Sequence, residues 1–175
     1  MIMLYYITRI ITVFGTELRT FLEHIMCRAF SVPIEDSRAF KESELCGHVE
    51  HELTENTAQA FFICFVPFLV NLVFGSLMLL SGSYLLFYVK SVSLEAVVTF
   101  WLGFSLVANV APSFEDVLSL KDKLYGKTNI ILKIVFSPIF GVLYVLSFSE
   151  RYSITFILAA AYSVAFPYAL SAVIF

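Results

Sequence analysis

The stretch Ala58–Val89 carries no charged side chain. It is longer than the run of about 20 apolar residues that crosses a bilayer as a helix. Three more apolar runs follow: Ala96–Ala111, ended by Pro112; Asn129–Phe148, with Lys133 near its start, where a lysine can snorkel to the interface; and Ser153–Phe175, with Pro167 inside. Hydrophobic residues make up 59% of the 175-residue chain and charged ones 14%, against roughly half and a quarter in soluble domains. One core of this size cannot bury that much apolar surface. The same composition excludes intrinsic disorder. A net charge of -3 leaves no basic footprint for nucleic acid. Three cysteines, an odd number, are too few for a disulfide scaffold. The chain reads as an all-α, polytopic transmembrane bundle of about five hydrophobic helices, a single domain over 1–175 with one acidic extramembrane segment. Tilt, a kink at Pro67 or a break at Ser81-Gly82-Ser83 absorbs the surplus length of Ala58–Val89.

The first thirty residues differ. Met1–Phe14 is apolar apart from Arg9, but from Gly15 the run carries Glu17, Arg19, Glu23, His24 and Arg28. Neither the basic start nor the small-residue cleavage site of a signal peptide is visible. Ile2–Phe30 is expected to form one long or kinked helix whose second half lies against protein or at the interface. Thr16, Thr20, Glu23, His24 and Cys27 fall on one stripe of that helix. Charged groups within a membrane face a bundle interior or a wet cavity; the competing reading is an amphipathic helix end lying in the headgroups.

Ser31–Thr57 holds half of the acidic residues (Glu35, Asp36, Glu42, Glu44, Glu50, Glu52, Glu55) and the cluster Cys46-Gly47-His48-Val49-Glu50-His51. With the spans as drawn, 31–57 and 112–128 share one side, and Lys90–Glu95 and Ser149–Tyr152 the other. Arg38, Lys41, Lys121, Lys123 and Lys127 on the first side outnumber Lys90 and Arg151 on the second. Short basic loops favour the cytoplasm, where thiols stay reduced and serve metals or redox chemistry.

All three histidines and two of the three cysteines lie within His24–His51. His24 and Cys27, three apart on a helix, can point toward one ion, and Gly47 lets the chain turn so that Cys46 and His48 converge. Imidazole with thiolate suits Zn²⁺. Asp116 is a distant carboxylate that the topology returns to the same face. The expected metal ligands are therefore His24, Cys27, Cys46, His48, His51 and Asp116. Against this, His48 and His51 can equally be solvated, with Glu23 paired to Arg19 or Arg28 at helical spacing. Cys64 is expected to be inert packing. Asn71 and Asn109, inside apolar spans, need partners across a helix interface. No phosphate-binding glycine loop, nucleophile elbow or dinucleotide fingerprint is present.

In order along the chain stand Gly15-Thr16, Gly47-His48-Val49-Glu50-His51, Pro67-Phe68-Leu69-Val70-Asn71, Trp101-Leu102-Gly103-Phe104-Ser105 and Pro112-Ser113-Phe114-Glu115-Asp116. This series resembles the small site-2-protease-like membrane zinc metallopeptidases of prokaryotes. The resemblance implies a prokaryotic cell membrane, a zinc ion and a late aspartate ligand at Asp116. It also implies an H-E-x-x-H helix motif, whose histidines bind zinc and whose glutamate is the general base. Counting from Gly15-Thr16, that motif falls on Arg19-Thr20-Phe21-Leu22-Glu23, where neither histidine nor the base survives. Arginine stays protonated and cannot take a cation. The leading expectation is a membrane protein on this scaffold, without peptidase activity, that keeps a cytoplasm-side metal site. Its partners would be the lipid bilayer and another membrane protein, as substrate or binding partner. Two alternatives stay open. One is an active metalloprotease with rearranged ligands, whose only nearby bases are Glu23 and Glu50. The other is an adaptor that binds a partner through the acidic segment.

Overall fold

The computed structural model describes residues 2–40, 46–54, 56–126 and 130–174; Lys41, Glu42, Glu44, Glu55 and Lys127 lie outside them. The described residues form seven α-helices and one two-stranded ribbon. The expected N-terminal helix is present and kinked, as α1 (Ile2–Ile11) and α2 (Val13–Ala29). The kink has a side-chain cause. The Gly15 N–H donates to Ser105 Oγ at 2.8 Å and the Ile11 carbonyl accepts from Trp101 Nε1 at 3.0 Å, so side chains take up two groups that an unbroken helix would pair with each other. Gly15 is required there, because a Cβ would stand 2.1 Å from the Ser105 carbonyl oxygen.

Helix α3 (Thr57–Ser83) starts on Asn56, whose side chain accepts from the Ala58 N–H. It passes through Pro67 and continues as one π-helical turn, Tyr84–Tyr88. These 32 residues make a rod of about 48 Å at 1.5 Å per residue. Of the three ways considered for absorbing the surplus length, the break at Ser81-Gly82-Ser83 is absent. Gly82 instead lets α4 (Leu94–Ala108) approach: a Cβ at Gly82 would lie 2.5 Å from the Phe100 nitrogen, and one at Gly103 2.5 Å from the Leu79 nitrogen. Small residues at a helix contact bring two backbones close and gain packing along the whole interface.

The Pro112–Thr128 segment, expected as a loop, contains α5 (Phe114–Tyr125). Ser113 caps it, accepting from the Asp116 N–H at 3.1 Å and donating to Asp116 Oδ2 at 2.8 Å. The serine oxygen thus satisfies one of the unpaired N–H groups of the first turn, as an N-cap does. Val117, Leu120 and Leu124 of α5 bury against Ala60, Phe61 and Cys64 of α3 and Leu143 of α6 (Ile130–Arg151). Cys64 is packing, as expected. Lys133 Nζ donates to the Tyr125 and Gly126 carbonyls that end α5, where a cation also meets the negative end of the helix dipole.

Helices α6 and α7 (Ile154–Ile174) do not form the expected hairpin. Contacts climb α3 in step, with Phe136 beside Phe61, Tyr162 bonded to Ser76 and Ser163 bonded to Ser83. Both helices run in the direction of α3, separated by a turn with Ser153 at φ 58. Glu150, expected in an external flank, is consequently inside the bundle. Two helices of the described residues are long and apolar enough to cross a membrane, Thr57–Tyr88 and Lys133–Glu150. The apolar stretches Leu94–Ala108 and Ile154–Ala169 are shorter, and α2 carries charge. The helical class stands; five spanning helices do not. In the acidic segment, β1 (Ile34–Asp36) pairs antiparallel with β2 (Glu50–His51), with Ile34 opposite His51.

The α3–α4 contact yields a matched pair of substitutions. Gly103→Ala should lower stability by about 1–3 kcal/mol through overpacking. Gly141→Ala, with nothing within 4 Å of the new methyl, should leave the Tm unchanged or raise it through helix propensity. Thermal unfolding of the two variants in detergent, side by side, checks this.

A candidate metal centre

Helix α2 buries one stripe: Thr16, Arg19, Thr20, Glu23 and Cys27. Four of the five residues expected there are present, and Arg19 takes the place of His24. His24 is one residue beyond Glu23, about 100° further round the helix, and it lines a surface cleft with Arg28, Ile34 and Asp36.

The Glu23 carboxylate is divided between two partners. Its Oε1 accepts from Arg19 Nε at 3.1 Å, the helical pairing considered above. Its Oε2 accepts from the Val49 N–H at 3.1 Å and lies 3.3 Å from His48 Nδ1. The same His48 nitrogen is 3.5 Å from Asp116 Oδ2, and Asp116 Oδ1 is 3.1 Å from His51 Nε2. Glu23, His48 and Asp116 are all buried, and their donor atoms lie within 4.8 Å of one another, a group able to hold a metal ion. His51 joins through Asp116. Its Nδ1 is 2.8 Å from the Glu52 carbonyl oxygen, while its buried Nε2 has no aligned hydrogen-bond partner. The 3.1 Å approach to Asp116 is thus close enough for an ion pair but badly directed for a hydrogen bond.

The electrostatics favour positive charge in this pocket. Burial opposes protonation of His48, but the Glu23 hydrogen bond and the Asp116 charge outweigh it and push the pKa up to about 9. For His51, burial is likewise outweighed by the close Asp116 carboxylate, and its pKa is raised. Burial acts to raise the Asp116 pKa; the neighbouring His51 and His48 reverse that and hold it below the usual carboxylate range.

Three expected ligands do not reach this point. His24 points into the cleft just described. Cys27 packs in an apolar cluster with Val32 and Ile63. Cys46 is buried beside Gly47, whose φ of 78 turns the chain, and its carbonyl accepts from the Tyr5 hydroxyl at 3.0 Å. Its sulfur is not among the converging atoms, so the turn expected to bring Cys46 and His48 together delivers only His48. Of the two expected catalytic carboxylates, Glu23 is in the cluster. Glu50, next to His51 on an extended strand where neighbours face opposite ways, is not in it.

Behind Glu23 the charges continue. Arg19 pairs with Glu150, which also pairs with Arg9 and lies 3.4 Å from the Tyr5 hydroxyl. Arg9 further bonds Asn109 Oδ1, and Asn109 accepts from Thr16 while its carbonyl accepts from Asn71 at 2.9 Å. The expected interhelical role of both asparagines is met. A polar cavity of about 10 Å³, lined by Thr8, Arg9, Thr12, Glu150 and Ser153, lies beside this row, room for about one water. Sequence reasoning missed the role of Glu150. The only available signal was a lone carboxylate closing the apolar run of α6. Comparison with models of known families, with curated proteins and with solved structures gives no match to this chain.

Removing one member of a buried charge row exposes its size. Glu150→Gln strands Arg9 and Arg19 and should cost about 3–5 kcal/mol, read as a loss of folded fraction in denaturant titration. A change below about 1 kcal/mol, the range of surface pairs, would show that water reaches the row.

Proposed function

We propose that the chain is an integral membrane protein that holds one divalent cation, Zn²⁺, on Glu23, His48 and Asp116. Its scaffold would be similar to the site-2-protease-like metallopeptidases, with no peptidase chemistry. The observation that carries this is the spacing of the donor atoms. Ligands about 2.0–2.2 Å from a tetrahedral ion stand roughly 3.3–3.6 Å apart; His48 Nδ1 is 3.3 Å from Glu23 Oε2 and 3.5 Å from Asp116 Oδ2, and the three donor groups lie within 4.8 Å of one another. Two carboxylates balance a divalent charge, and the neutral His48 imidazole completes three ligands of the kind zinc accepts.

Loss of peptidase activity is supported by what surrounds the ion. Thr20 stands where the resemblance places the general base, and its hydroxyl donates to the Thr16 carbonyl at 3.0 Å. Glu23 is already engaged by Arg19, Val49 and His48. Among the described residues no third carboxylate joins the cluster.

Membrane insertion is supported by an inverted polarity. Arg9, Arg19, Glu23, Asn71, Asn109 and Glu150 are buried, while Phe74, Leu77, Ile134, Val145, Ile157 and Val164 are exposed. Water would reward the opposite arrangement; lipid rewards this one. The ribbon and the start of α5 meet at the cluster, so the described residues of 31–56 share a face with 112–126, and Arg38, Lys121 and Lys123 favour the cytoplasm for it.

Purified protein should carry one zinc per chain by elemental analysis. His48→Ala and Asp116→Asn should weaken binding by at least about hundredfold, since even outer-shell changes cost 10–100-fold. His24→Ala and Cys46→Ala should retain the ion. A chain without stoichiometric metal, before and after incubation with zinc, would sink this reading.

Sidedness has its own check. Cysteines placed at Ser37 and Lys121 should react with an impermeant maleimide in inside-out vesicles and stay protected in intact cells. Reaction of the two from opposite faces would exclude a shared pocket.

A further inference from the structure

We propose that the small polar cavity beside Arg9 and Glu150 is the seat of a single monatomic anion, chloride. The cavity lies between the α1–α2 junction at Thr12 and the α6–α7 junction at Ser153, and its volume of about 10 Å³ admits one small ion and no polyatomic one. The charge balance that calls for an anion rests on the cation reading; the cavity and its free hydroxyls do not.

Two hydroxyls in the wall lack a partner. Ser153 is 7% exposed and Thr155 4%, both line the cavity, and neither side chain hydrogen-bonds to any described residue. A buried hydroxyl without a partner is costly, and folded proteins rarely leave one so. Both stand at the start of α7, a helix of 21 residues, where the unpaired N–H groups of the first turn and the helix dipole favour negative charge. Arg9 faces them across the cavity. Of its five N–H donors, one goes to Asn109 and one to Glu150 among the described residues. The Thr8 and Thr12 hydroxyls spend their protons on the Tyr5 and Thr8 carbonyls. Donors therefore reach a guest from Arg9 on one side and from the α7 end on the other.

Charge selects the guest. Arg9 and Arg19 bring two positive charges to the single negative charge of Glu150. With Glu23 and Asp116 balancing a divalent cation, one positive charge inside the bundle has no counter-charge. A buried charge left in that state is strongly destabilising, and an anion beside Arg9 cancels it. A monovalent cation in the cavity would double the excess, and water would leave it as it is. Glu150 also lines the cavity, but two guanidiniums match its charge, so an anion there meets a net positive field.

Thermal unfolding of the full chain in detergent, after incubation with zinc, tests this. Sodium chloride is exchanged for sodium gluconate at constant ionic strength, and metal content is measured in each sample. An ion that binds only the folded state multiplies the folded-to-unfolded ratio by 1 + [L]/Kd, so that ratio should rise at least about fivefold between chloride-free buffer and about 300 mM chloride. Thr155→Val keeps the side-chain shape and should unfold in gluconate as the wild type does. Ser153→Gly suits the φ of 58. Each variant should lose at least about tenfold in chloride affinity, the worth of a hydrogen bond to a charged group. If chloride stabilises the wild type and Thr155→Val alike, the ion sits elsewhere and the cavity assignment is wrong. If zinc is bound one to one and chloride does no more than gluconate, the anion site is wrong while the cation site survives. If no zinc binds but the chloride response and its loss in Thr155→Val remain, the anion site stands and the cation reading fails. If neither ion acts, both are wrong.

Discussion

A single carboxylate, that of Glu150, organises the interior. It neutralises Arg9 from α1 and Arg19 from α2, and the Tyr5 hydroxyl lies against it. A buried charge left without a partner costs several kcal/mol, whereas exposed pairs contribute little. The end of α6 can therefore occupy one place only, where both guanidiniums reach it. The same pairing decides the geometry next door. Arg19 bonds one oxygen of Glu23 and turns the other toward the Val49 N–H and His48. The charge row and the candidate metal centre are two ends of one electrostatic arrangement, alternating in sign from Arg9 to Glu23.

The helix breaks follow from that row. Helices end at Thr12 and at Ser153, and both positions line the small polar cavity beside Arg9 and Glu150. A break inside an apolar bundle frees backbone groups that need partners. Ser105 and Trp101 of α4 supply them for the first break. At the second, the Tyr152 and Ser153 N–H groups bond back to the Ser149 and Glu150 carbonyls. Asn109 is a hub: its side chain serves α1 and α2, and its carbonyl serves Asn71 on α3.

Much of this was legible. Apolar runs located α3, α4, α6 and α7 within a few residues, because an uncharged stretch has little choice but to form a helix. The α2 stripe was legible for the same periodic reason, and it led to Glu23. His48, His51 and Asp116 were found by residue type and by the return of 112–128 to the same face. What failed depended on facts that no local pattern holds. His24 is rotated about 100° from Glu23, away from the buried stripe, while Cys27, on that stripe one turn beyond Glu23, packs with Val32 and Ile63 instead. Ser81-Gly82-Ser83 looks like a break, yet it is the approach point for Phe100, a decision made by α4. The direction of α7 after Ser153 was equally hidden, since apolar periodicity does not tell a reversal from a continuation. The α5 helix was the avoidable miss: its cap, Ser113-x-x-Asp116, is written in the sequence.

The place of the candidate metal centre is set by the surface of α2 rather than by the ribbon. Gly47 sits against Thr16, where a Cβ would be 3.1 Å from the threonine methyl, and Val49 reaches Glu23 two residues later. Two extended residues cover about 6.6 Å, while Thr16 to Glu23 is about 10 Å along a helix, so the segment runs beside α2 in the same direction. It can do so because Thr16 and Thr20 are short and turn their hydroxyls back to their own helix, bonding the Thr12 and Thr16 carbonyls. Their small bulk leaves a track along the helix, and that track ends at Glu23. The stripe on which the resemblance would mount a catalytic motif here serves as a docking rail, which brings His48 from another segment to the Glu23 carboxylate.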